Sequence, residues 1–178
     1  MAQDPNSHPD LASLYRTAIR RHASAPVGYR QAIAATHRHE EYNPQCGDRI
    51  ELQLQVDGDR IEAAAFVGEA CAICIASASL LCSLAPGRTV AALLQLGEDL
   101  QRALQSPAGE TANKETAGAA SAATGPNHKT EQPRLKPLLH GDLRALLGVR
   151  PYPSRIRCAT LPWAAAQRAL SDQSRTIP

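Results

Sequence analysis

The sequence predicts an α+β fold, in which α-helices cover one face of a small antiparallel β-sheet. Two segments predict strands, because RIELQLQV at 49–56 alternates apolar and polar residues and RIEAAAFVG at 60–68 follows it after a DGD turn. Two others predict amphipathic helices, since LASLYRTAIRRHA at 11–23 and TVAALLQLGEDLQRALQ at 89–105 place apolar residues at helical spacing. A chain of 178 residues is long enough for one domain with a core, which we place at 11–175.

In the first half of the chain, Pro26 and Gly28 are expected to end the first helix. The next segment, AIAATHRHEEY at 32–42, is ambiguous, with an edge strand as one interpretation. The first clear strand places Ile50, Leu52, Leu54 and Val56 on its apolar face. Asp57-Gly58 then supplies the positive φ that a tight hairpin requires.

In the second half, CAICIASASLLCSL at 71–84 predicts a helix that is buried on all sides, because nearly every residue is apolar or small. Residues 106–134 are rich in Ala, Gly, Thr and Ser, and such a segment cannot offset its ordering entropy, so we expect a disordered insertion. A short helix is predicted at 141–149. The last helix is predicted at 159–172, with Pro162 tolerated only in its first turn.

Composition excludes several classes of protein. A net charge of +2 with scattered basic residues and 3% aromatic residues argues against nucleic-acid binding. The polar start MAQDPNSHPD is not a signal peptide, and the longest apolar run is too short to span a membrane. We therefore expect a cytoplasmic protein whose five cysteines are reduced thiols, ligands or catalysts rather than disulfides.

Three cysteines and one aspartate are the candidate site residues. Cys46 lies in the turn NPQCGD, where Gly47 allows Asp48 to reach the same point. Cys71 and Cys158 are predicted at the starts of two helices, where free amides and the helix dipole favour a thiolate. Three thiolates and a carboxylate would suit Zn²⁺ or iron in a cluster.

The spacing of these residues is not that of a zinc finger, and each thiol taken alone fits a core position equally well. The turn that carries Cys46 argues otherwise, because a turn has no core to fill. Arg157, the neighbour of Cys158, adds positive charge to the same region.

At these residues the sequence resembles a known family. The block NPQCGDRIELQLQVDGDRIEAAAFVGEACAICIASAS is similar to the central block of the IscU/SufU family, the N-terminal NifU-like iron–sulfur cluster assembly proteins. RIRCATLPW resembles the third cysteine block of that family, and LYRTAIRRHASAP its first helix. The resemblance covers about 12–105 and 137–171, and it implies that Cys46, Asp48 and Cys71, together with Cys158, bind the metal.

The resemblance is greatest to the SufU type. Members of the IscU type carry a histidine before the third cysteine and a proline-rich chaperone-docking motif, whereas Arg157 occupies the histidine position here and the motif is absent from the sequence. A SufU-type protein is a zinc-bound sulfur acceptor for a cysteine desulfurase, and an IscU-type protein is a scaffold on which clusters form. The SufU type also has an insertion before the third cysteine.

A few positions depart from the family pattern or lie outside its ligand set. Ala70 replaces the usual glycine before Cys71, and Cys74 occupies a position where the family has serine or a similar small residue. Cys74 forms a CxxC with Cys71 and is a possible spare ligand, although we expect it simply to fill a packed helix. Cys82 is expected in the core, and His22 is expected at the surface or in docking.

Three functions fit these residues. The first is a sulfur acceptor that receives persulfide sulfur from a cysteine desulfurase, most directly on Cys46, and passes it to downstream iron–sulfur assembly proteins. Redox-inert zinc would protect the thiolates, and Asp48 would keep the site labile. The second is a scaffold that holds a 2Fe–2S cluster or iron. The third is a protein with purely structural zinc; a cysteine hydrolase is disfavoured, because no histidine has an evident place beside a thiol.

Overall fold

The computed structural model describes residues 11–106, 139 and 141–171. Within these ranges the chain forms a three-stranded antiparallel sheet with helices, so the predicted α+β class is confirmed. None of the described helices is long and apolar enough to cross a membrane. The elements follow in the order α1 (Leu11–Ser24), β1 (His37–Asn43), β2 (Asp48–Asp57), β3 (Arg60–Glu69), α2 (Ala72–Leu84), α3 (Val90–Gln105), a 3₁₀ helix (Gly141–Val149) and α4 (Pro153–Ser171).

The sheet has the order β1-β2-β3, so β2 is the central strand. One face of β2 is buried. Ile50, Leu52 and Leu54 are fully buried, as their alternation predicts, because they point towards the helices. The ambiguous segment before β2 supplies the edge strand β1, so that interpretation is confirmed from His37 onwards. The register places Asn43 opposite Asp48, at the end of the hairpin that joins β1 to β2.

Helix α2 runs through the middle of the core, which explains its apolar sequence. It packs against α1 and α4, and two of its serines, Ser77 and Ser79, are buried and bond polar groups inside the protein. Ser77 is fully buried and donates to the carbonyl of Ala159 at 2.6 Å, while it accepts a hydrogen bond from the indole of Trp163 at 3.0 Å. These contacts fix the position of α4 relative to α2.

The start of α4 corrects the sequence prediction. The helix begins at Pro153 rather than at 159, and Pro162 lies in its interior rather than in its first turn. The proline that occupies the favourable first position is therefore Pro153. Pro162 has no N–H to donate within the helix. The carbonyl that loses its helical donor is that of Cys158, four residues earlier, and the Ser77 hydroxyl bonds the next carbonyl, that of Ala159.

The short helix predicted at 141–149 is present as the 3₁₀ helix and packs along α1. A Cβ at Gly148 would lie 2.6 Å from the ring of Tyr15, so only glycine fits this close approach. The predicted insertion at 106–134 lies outside the described residues apart from Ser106. The domain limits of 11–175 remain a prediction.

Candidate metal centre

Three of the four predicted ligand side chains converge at one end of the sheet. Cys46, Asp48 and Cys158 each offer a donor atom, and these atoms all lie within 4.8 Å of one another. The sulfurs of Cys46 and Cys158 are 3.3 Å apart. Asp48 and Cys158 are fully buried, whereas Cys46 is half-buried, so the group is reached from solvent on the Cys46 side.

The turn between β1 and β2 places Cys46. The carbonyl of Asn43 accepts hydrogen bonds from the amides of Cys46 at 3.3 Å and Gly47 at 2.9 Å. Gly47 has φ +71°, a left-handed conformation that most side chains disfavour, and it returns the chain into β2 at Asp48. The glycine of the CGD turn thus acts as the sequence predicted, by bringing Asp48 back towards Cys46.

Asn43 is a site residue that the sequence reasoning missed. Its side chain is fully buried, its Nδ2 donates to the sulfur of Cys158 at 3.6 Å, and its Oδ1 accepts from the amide of Gln45 at 3.3 Å. It therefore ties the turn that carries Cys46 to the helix that carries Cys158. The sequence signal was available, since an asparagine that begins a turn commonly bonds the backbone two residues on.

Cys71 joins this group through Asp48. It is the N-cap of α2, in extended conformation, and its side chain makes no capping hydrogen bond. Its amide donates to Oδ1 of Asp48 at 2.7 Å, and its sulfur lies 3.7 Å from Oδ2. The Cys71 sulfur is not one of the donor atoms that lie within 4.8 Å of one another, which belong to Cys46, Asp48 and Cys158. It does contact the Asp48 carboxylate. The structure thus brings all four predicted residues together, with Asp48 in contact with Cys71.

The sequence predicted that both Cys71 and Cys158 begin helices, and for Cys158 this prediction is wrong. It is the sixth residue of α4 and lies in the second turn, because the helix begins at Pro153. Its sulfur lies 3.7 Å from the carbonyl of Ser154, one turn earlier. The free amides of a helix N-terminus are therefore available to Cys71 but not to Cys158.

The cation beside the thiols is Arg155 rather than Arg157. Negative charge on Cys71, first, and then a hydrogen bond with Cys158 and the charge of Cys46 raise the pKa of the exposed Arg155 above its usual value. Arg155 precedes Cys158 by three residues, so the two share a face of α4, whereas the adjacent Arg157 points elsewhere. The position of Arg155 follows from helical spacing once the helix begins at Pro153.

Burial determines the protonation of the deeper thiols. Burial first, and then hydrogen bonds with Asp48 and Cys46, raise the pKa of Cys158, so this thiol keeps its proton in the protein alone. Burial likewise raises the pKa of Cys74, with smaller effects from Asp48 and the neighbouring thiols. A metal that binds Cys158 must therefore displace a proton.

The remaining sequence candidates are all buried. Cys74 is the third residue of α2, fully buried, and outside the group of converging donor atoms. Cys82 lies against Gly28, where burial raises its pKa to about 12, so its core position is confirmed. The prediction for His22 is wrong, because this ring is buried and lies 2.8 Å from the hydroxyl of Ser79.

Two of the donor separations are close to those of a tetrahedral zinc site. Zn–S bonds of about 2.3 Å and Zn–O bonds of about 2.0 Å would place two sulfurs about 3.8 Å apart, and a sulfur and an oxygen about 3.5 Å apart. The Cys46–Cys158 sulfurs are 3.3 Å apart and the Cys71 sulfur is 3.7 Å from Asp48. Both separations are within about 0.5 Å of a zinc-bound arrangement, whereas Cys71 lies outside the set of donor atoms within 4.8 Å of one another and must move closer to complete the tetrahedron.

Comparison with known proteins places the chain in a family. The NifU-like N-terminal domain family matches residues 15–130, which is well over half of the chain. The chain belongs to the NifU-like N-terminal domain family. The resemblance to the IscU/SufU proteins is therefore confirmed. Cys158 lies beyond the matched residues, and full-length relatives cover that part of this NifU-like chain.

Two curated relatives align with nearly the whole chain. The zinc-dependent sulfurtransferase SufU of Bacillus subtilis (strain 168) is 30% identical over 164 residues, which cover 92% of this chain and 94% of the relative. The iron–sulfur cluster assembly scaffold protein IscU of Streptococcus pyogenes serotype M1 is 29% identical over 160 residues, 90% of this chain and 84% of the relative.

A solved structure supports the fold of this NifU-like domain. The putative iron–sulfur cluster assembly scaffold protein for the SUF system from Fervidobacterium islandicum AW-1 superposes with a TM-score of 0.64 at 24% identity. The match covers 88% of this chain and 96% of that one. At this level of identity the similarity concerns the fold alone.

Proposed function

We propose that this protein acts in iron–sulfur cluster assembly as a zinc-dependent acceptor of persulfide sulfur from a cysteine desulfurase. The observation that carries the proposal is the convergence of donor atoms from Cys46, Asp48 and Cys158 within 4.8 Å of one another. The backbone amide of Cys71 donates a hydrogen bond to the carboxylate of Asp48 in this group. Family membership and the zinc-dependent sulfurtransferase from Bacillus subtilis support this assignment. The chemistry of three thiols and one carboxylate agrees with both.

In this proposal Cys46, Asp48, Cys71 and Cys158 hold the metal. When bound, zinc would keep the thiolates deprotonated through its positive charge, and it would protect them from oxidation because it has no redox chemistry in proteins. The protein positions the donors through the Asn43 turn and the first two turns of α4. Asp48 has a second task, because the same carboxylate accepts the amide hydrogen bond at the start of α2.

Cys46 is the proposed acceptor of sulfur. It is half-buried on a turn, whereas Cys158 is fully buried and the sulfur and amide of Cys71 both contact Asp48. The Cys46 thiolate attacks the outer sulfur of a persulfide on the desulfurase. A new S–S bond forms on Cys46, the S–S bond of the donor breaks, and the donor cysteine leaves as a thiolate. The transfer involves no net oxidation or reduction.

Arg155 assists this step as a positioning residue. Arg155 is exposed, and its raised pKa, caused first by the charge of Cys71 and then by Cys158 and Cys46, indicates that its guanidinium lies near these thiols. A cation at this point stabilises the thiolate form that attacks the donor. We assign the preceding step to a cysteine desulfurase and the following one to downstream iron–sulfur assembly proteins in the cytoplasm, where thiols remain reduced.

A scaffold role is the second candidate function. It is favoured by the IscU relative from Streptococcus pyogenes, which is named a scaffold and is 29% identical. The same four residues would then hold iron or a 2Fe–2S cluster, since thiolates are the usual ligands of such clusters. Arg157 disfavours this role, because the IscU type has a histidine at that position.

Metal analysis of anaerobically purified protein tests the donor set. We expect one zinc per chain, and replacement of Cys46, Cys71 or Cys158 by serine should remove most of it. Cys82→Ser is the control, because Cys82 is a thiol of α2 that is buried like Cys158 but lies away from the site, so this variant should keep its zinc. Retention of full zinc by Cys158→Ser would contradict the donor set.

Mass spectrometry after turnover tests the sulfur chemistry. With a cysteine desulfurase and cysteine, the peptide that contains Cys46 should gain the mass of one sulfur atom, and sulfur release by the desulfurase should accelerate. Absence of added sulfur on every cysteine peptide, with desulfurase activity unchanged, would leave structural zinc as the function. A stable cluster that passes to an apo-protein would favour the scaffold.

A further inference from the structure

The first turn of α2 contains a second cysteine, Cys74, to which the proposed function assigns no role. Cys71 is the N-cap of this helix and Cys74 is its third residue, so the sequence CAIC forms a CxxC at a helix N-terminus. A CxxC in this position is typical of dithiol redox sites. Cys74 is fully buried, and its sulfur is not among the donor atoms that converge at the metal centre.

The positions of these two cysteines allow a disulfide. The N-cap and third helical residues are the pair that contact each other in a capping box, since each side chain reaches the other's backbone. Side chains three residues apart on a helix have Cβ atoms about 5–6 Å apart, and a disulfide needs about 3.5–4.5 Å, so the backbone at the N-cap must shift by about 1–2 Å for the bond to form. The Cys71 side chain makes no capping bond with the helix, and among the described residues its sulfur contacts Asp48 at 3.7 Å, a contact that must break for Cys71 to turn towards Cys74.

The surroundings of Cys74 restrict its reactions. Its side chain is fully buried, so a reagent in solution cannot reach it while the helix is folded. Burial, first, and then the charges of Asp48, Cys71 and Cys46 raise the pKa of Cys74, so the site residues act on it electrostatically. Within the described residues, therefore, its reaction partners are thiols of the site itself, and sequence adjacency in the first helical turn favours Cys71.

We infer that Cys74 is a resolving cysteine, which releases sulfur held as a persulfide on Cys71 in the form of sulfide. This inference rests on the proposed function, because it needs sulfur delivered to the site. It adds a reductive step to sulfur acceptance, so that the protein supplies sulfide as well as persulfide. Sulfide is the oxidation state of sulfur in an iron–sulfur cluster.

The chemistry balances without an external oxidant. The Cys71 thiolate first takes the outer sulfur from the Cys46 persulfide, and the Cys46 thiolate leaves. The Cys74 sulfur then attacks the inner sulfur of the Cys71 persulfide, the S–S bond breaks, and the outer sulfur departs with the thiol proton as H₂S. Two thiol sulfurs are oxidised to the Cys71–Cys74 disulfide, and one sulfane sulfur is reduced to sulfide. A dithiol reductant then restores both thiols.

The test compares the whole protein with Cys74→Ser, and with Cys74→Ala in case one variant folds poorly. Each is loaded in two separate ways, with a desulfurase plus cysteine and with inorganic polysulfide alone, without added reductant. Free sulfide is measured, and thiols are then alkylated for mass spectrometry. Trypsin leaves three cysteines in the peptide 61–88, so a Cys82→Ser background is used, in which an internal disulfide can join only Cys71 and Cys74.

The expected result is one sulfide released per chain together with loss of two hydrogens from peptide 61–88. In the Cys74 variants sulfide release should fall about tenfold or more, because an intramolecular thiol is lost, and persulfide should persist on Cys71. Cys82→Ser alone should behave as the parent. Because Cys74 is buried, each variant is first checked for a parent-like melting temperature.

Two failures are distinguishable. Release of sulfide and formation of the disulfide with polysulfide, but not with the desulfurase, would support Cys74 and contradict the proposed sulfur acceptor. Equal sulfide release by the parent and the Cys74 variants would overturn the inference, as would absence of the Cys71–Cys74 disulfide after both treatments. In either of these cases Cys74 is only a core residue.

Discussion

The side-chain amide of Asn43 donates a hydrogen bond to the sulfur of Cys158 at 3.6 Å, although 115 residues separate the two in the chain. The same asparagine accepts the amide hydrogen bonds of the turn that carries Cys46. Asn43 is therefore the residue through which the first and last thiols of the site maintain their relative position.

Asn43→Ala should weaken zinc binding by about 10- to 100-fold, as does loss of other residues that orient metal ligands. It should also lower the free energy of unfolding by about 1–3 kcal/mol, because buried polar partners lose their hydrogen bonds. Chelator competition and denaturant unfolding measure the two effects. Gln45→Ala is the control, since the exposed Gln45 bonds Asn43 only through its backbone; equal zinc affinity in both variants would contradict the role of Asn43.

Gly47→Ala and Gly58→Ala form a matched pair, because both positions have positive φ and open space around the missing Cβ. Each substitution should cost about 1 kcal/mol of stability through backbone strain. Only Gly47→Ala should also weaken zinc binding, since Gly47 sets the approach of Asp48 to Cys46. If the Gly58 variant lost zinc to the same extent, stability rather than turn geometry would explain both effects.

Arg155→Ala should slow alkylation of the site thiols in metal-free protein at neutral pH, by about fivefold or less, because an exposed cation acts weakly through solvent. Arg157→Ala should react at nearly the parent rate. Rates of iodoacetamide labelling at Cys46 and Cys71 provide the measurement, and high salt should reduce the difference. A larger effect from Arg157 would restore the assignment made from sequence adjacency.

His22 should make stability depend on pH. Burial, first, and the charge of Arg21 lower the pKa of His22 below 6.5, while its ring lies 3.4 Å from Asp142, which pairs with Arg21. The unfolded chain then binds more protons, so the contribution of His22 is complete above pH 6.5 and decreases as pH falls through the lower folded pKa. The melting temperature of metal-free protein should fall less between pH 7 and 5 in His22→Gln than in the parent; parallel curves would exclude this role.

Local sequence patterns predicted most of the fold. Leu52 and Leu54 determine the central strand by alternation, and Gly58 after an aspartate determines the hairpin. The last helix was placed six residues late, because Pro162 was assigned to its first turn when Pro153 occupies that position. Ser77 bonds the carbonyl of Ala159 in α4, and no local pattern reveals a contact between residues 82 positions apart in the sequence.

The candidate site was predictable in its residues but not in all of its geometry. The turn around Cys46 and Asp48 and the predicted helix starts at Cys71 and Cys158 identified the candidates, and the resemblance implied that they are the metal ligands. Arg157 was named because it is adjacent to Cys158 in the sequence, whereas side-chain direction on a helix brings a residue three positions away, Arg155, to the same face. Asn43 required the register of β1 against β2, which depends on tertiary packing.

The distribution of the donors along the chain has a consequence during translation. Cys158 follows Cys71 by 87 residues, so the ribosome reaches the last thiol well after the first three donors have been made. At about 5–20 residues per second, this interval is roughly 4–17 s. A nascent chain thus carries an incomplete donor set for seconds. Selective loading with metal is therefore expected only after α4 has been synthesised and has packed against α2.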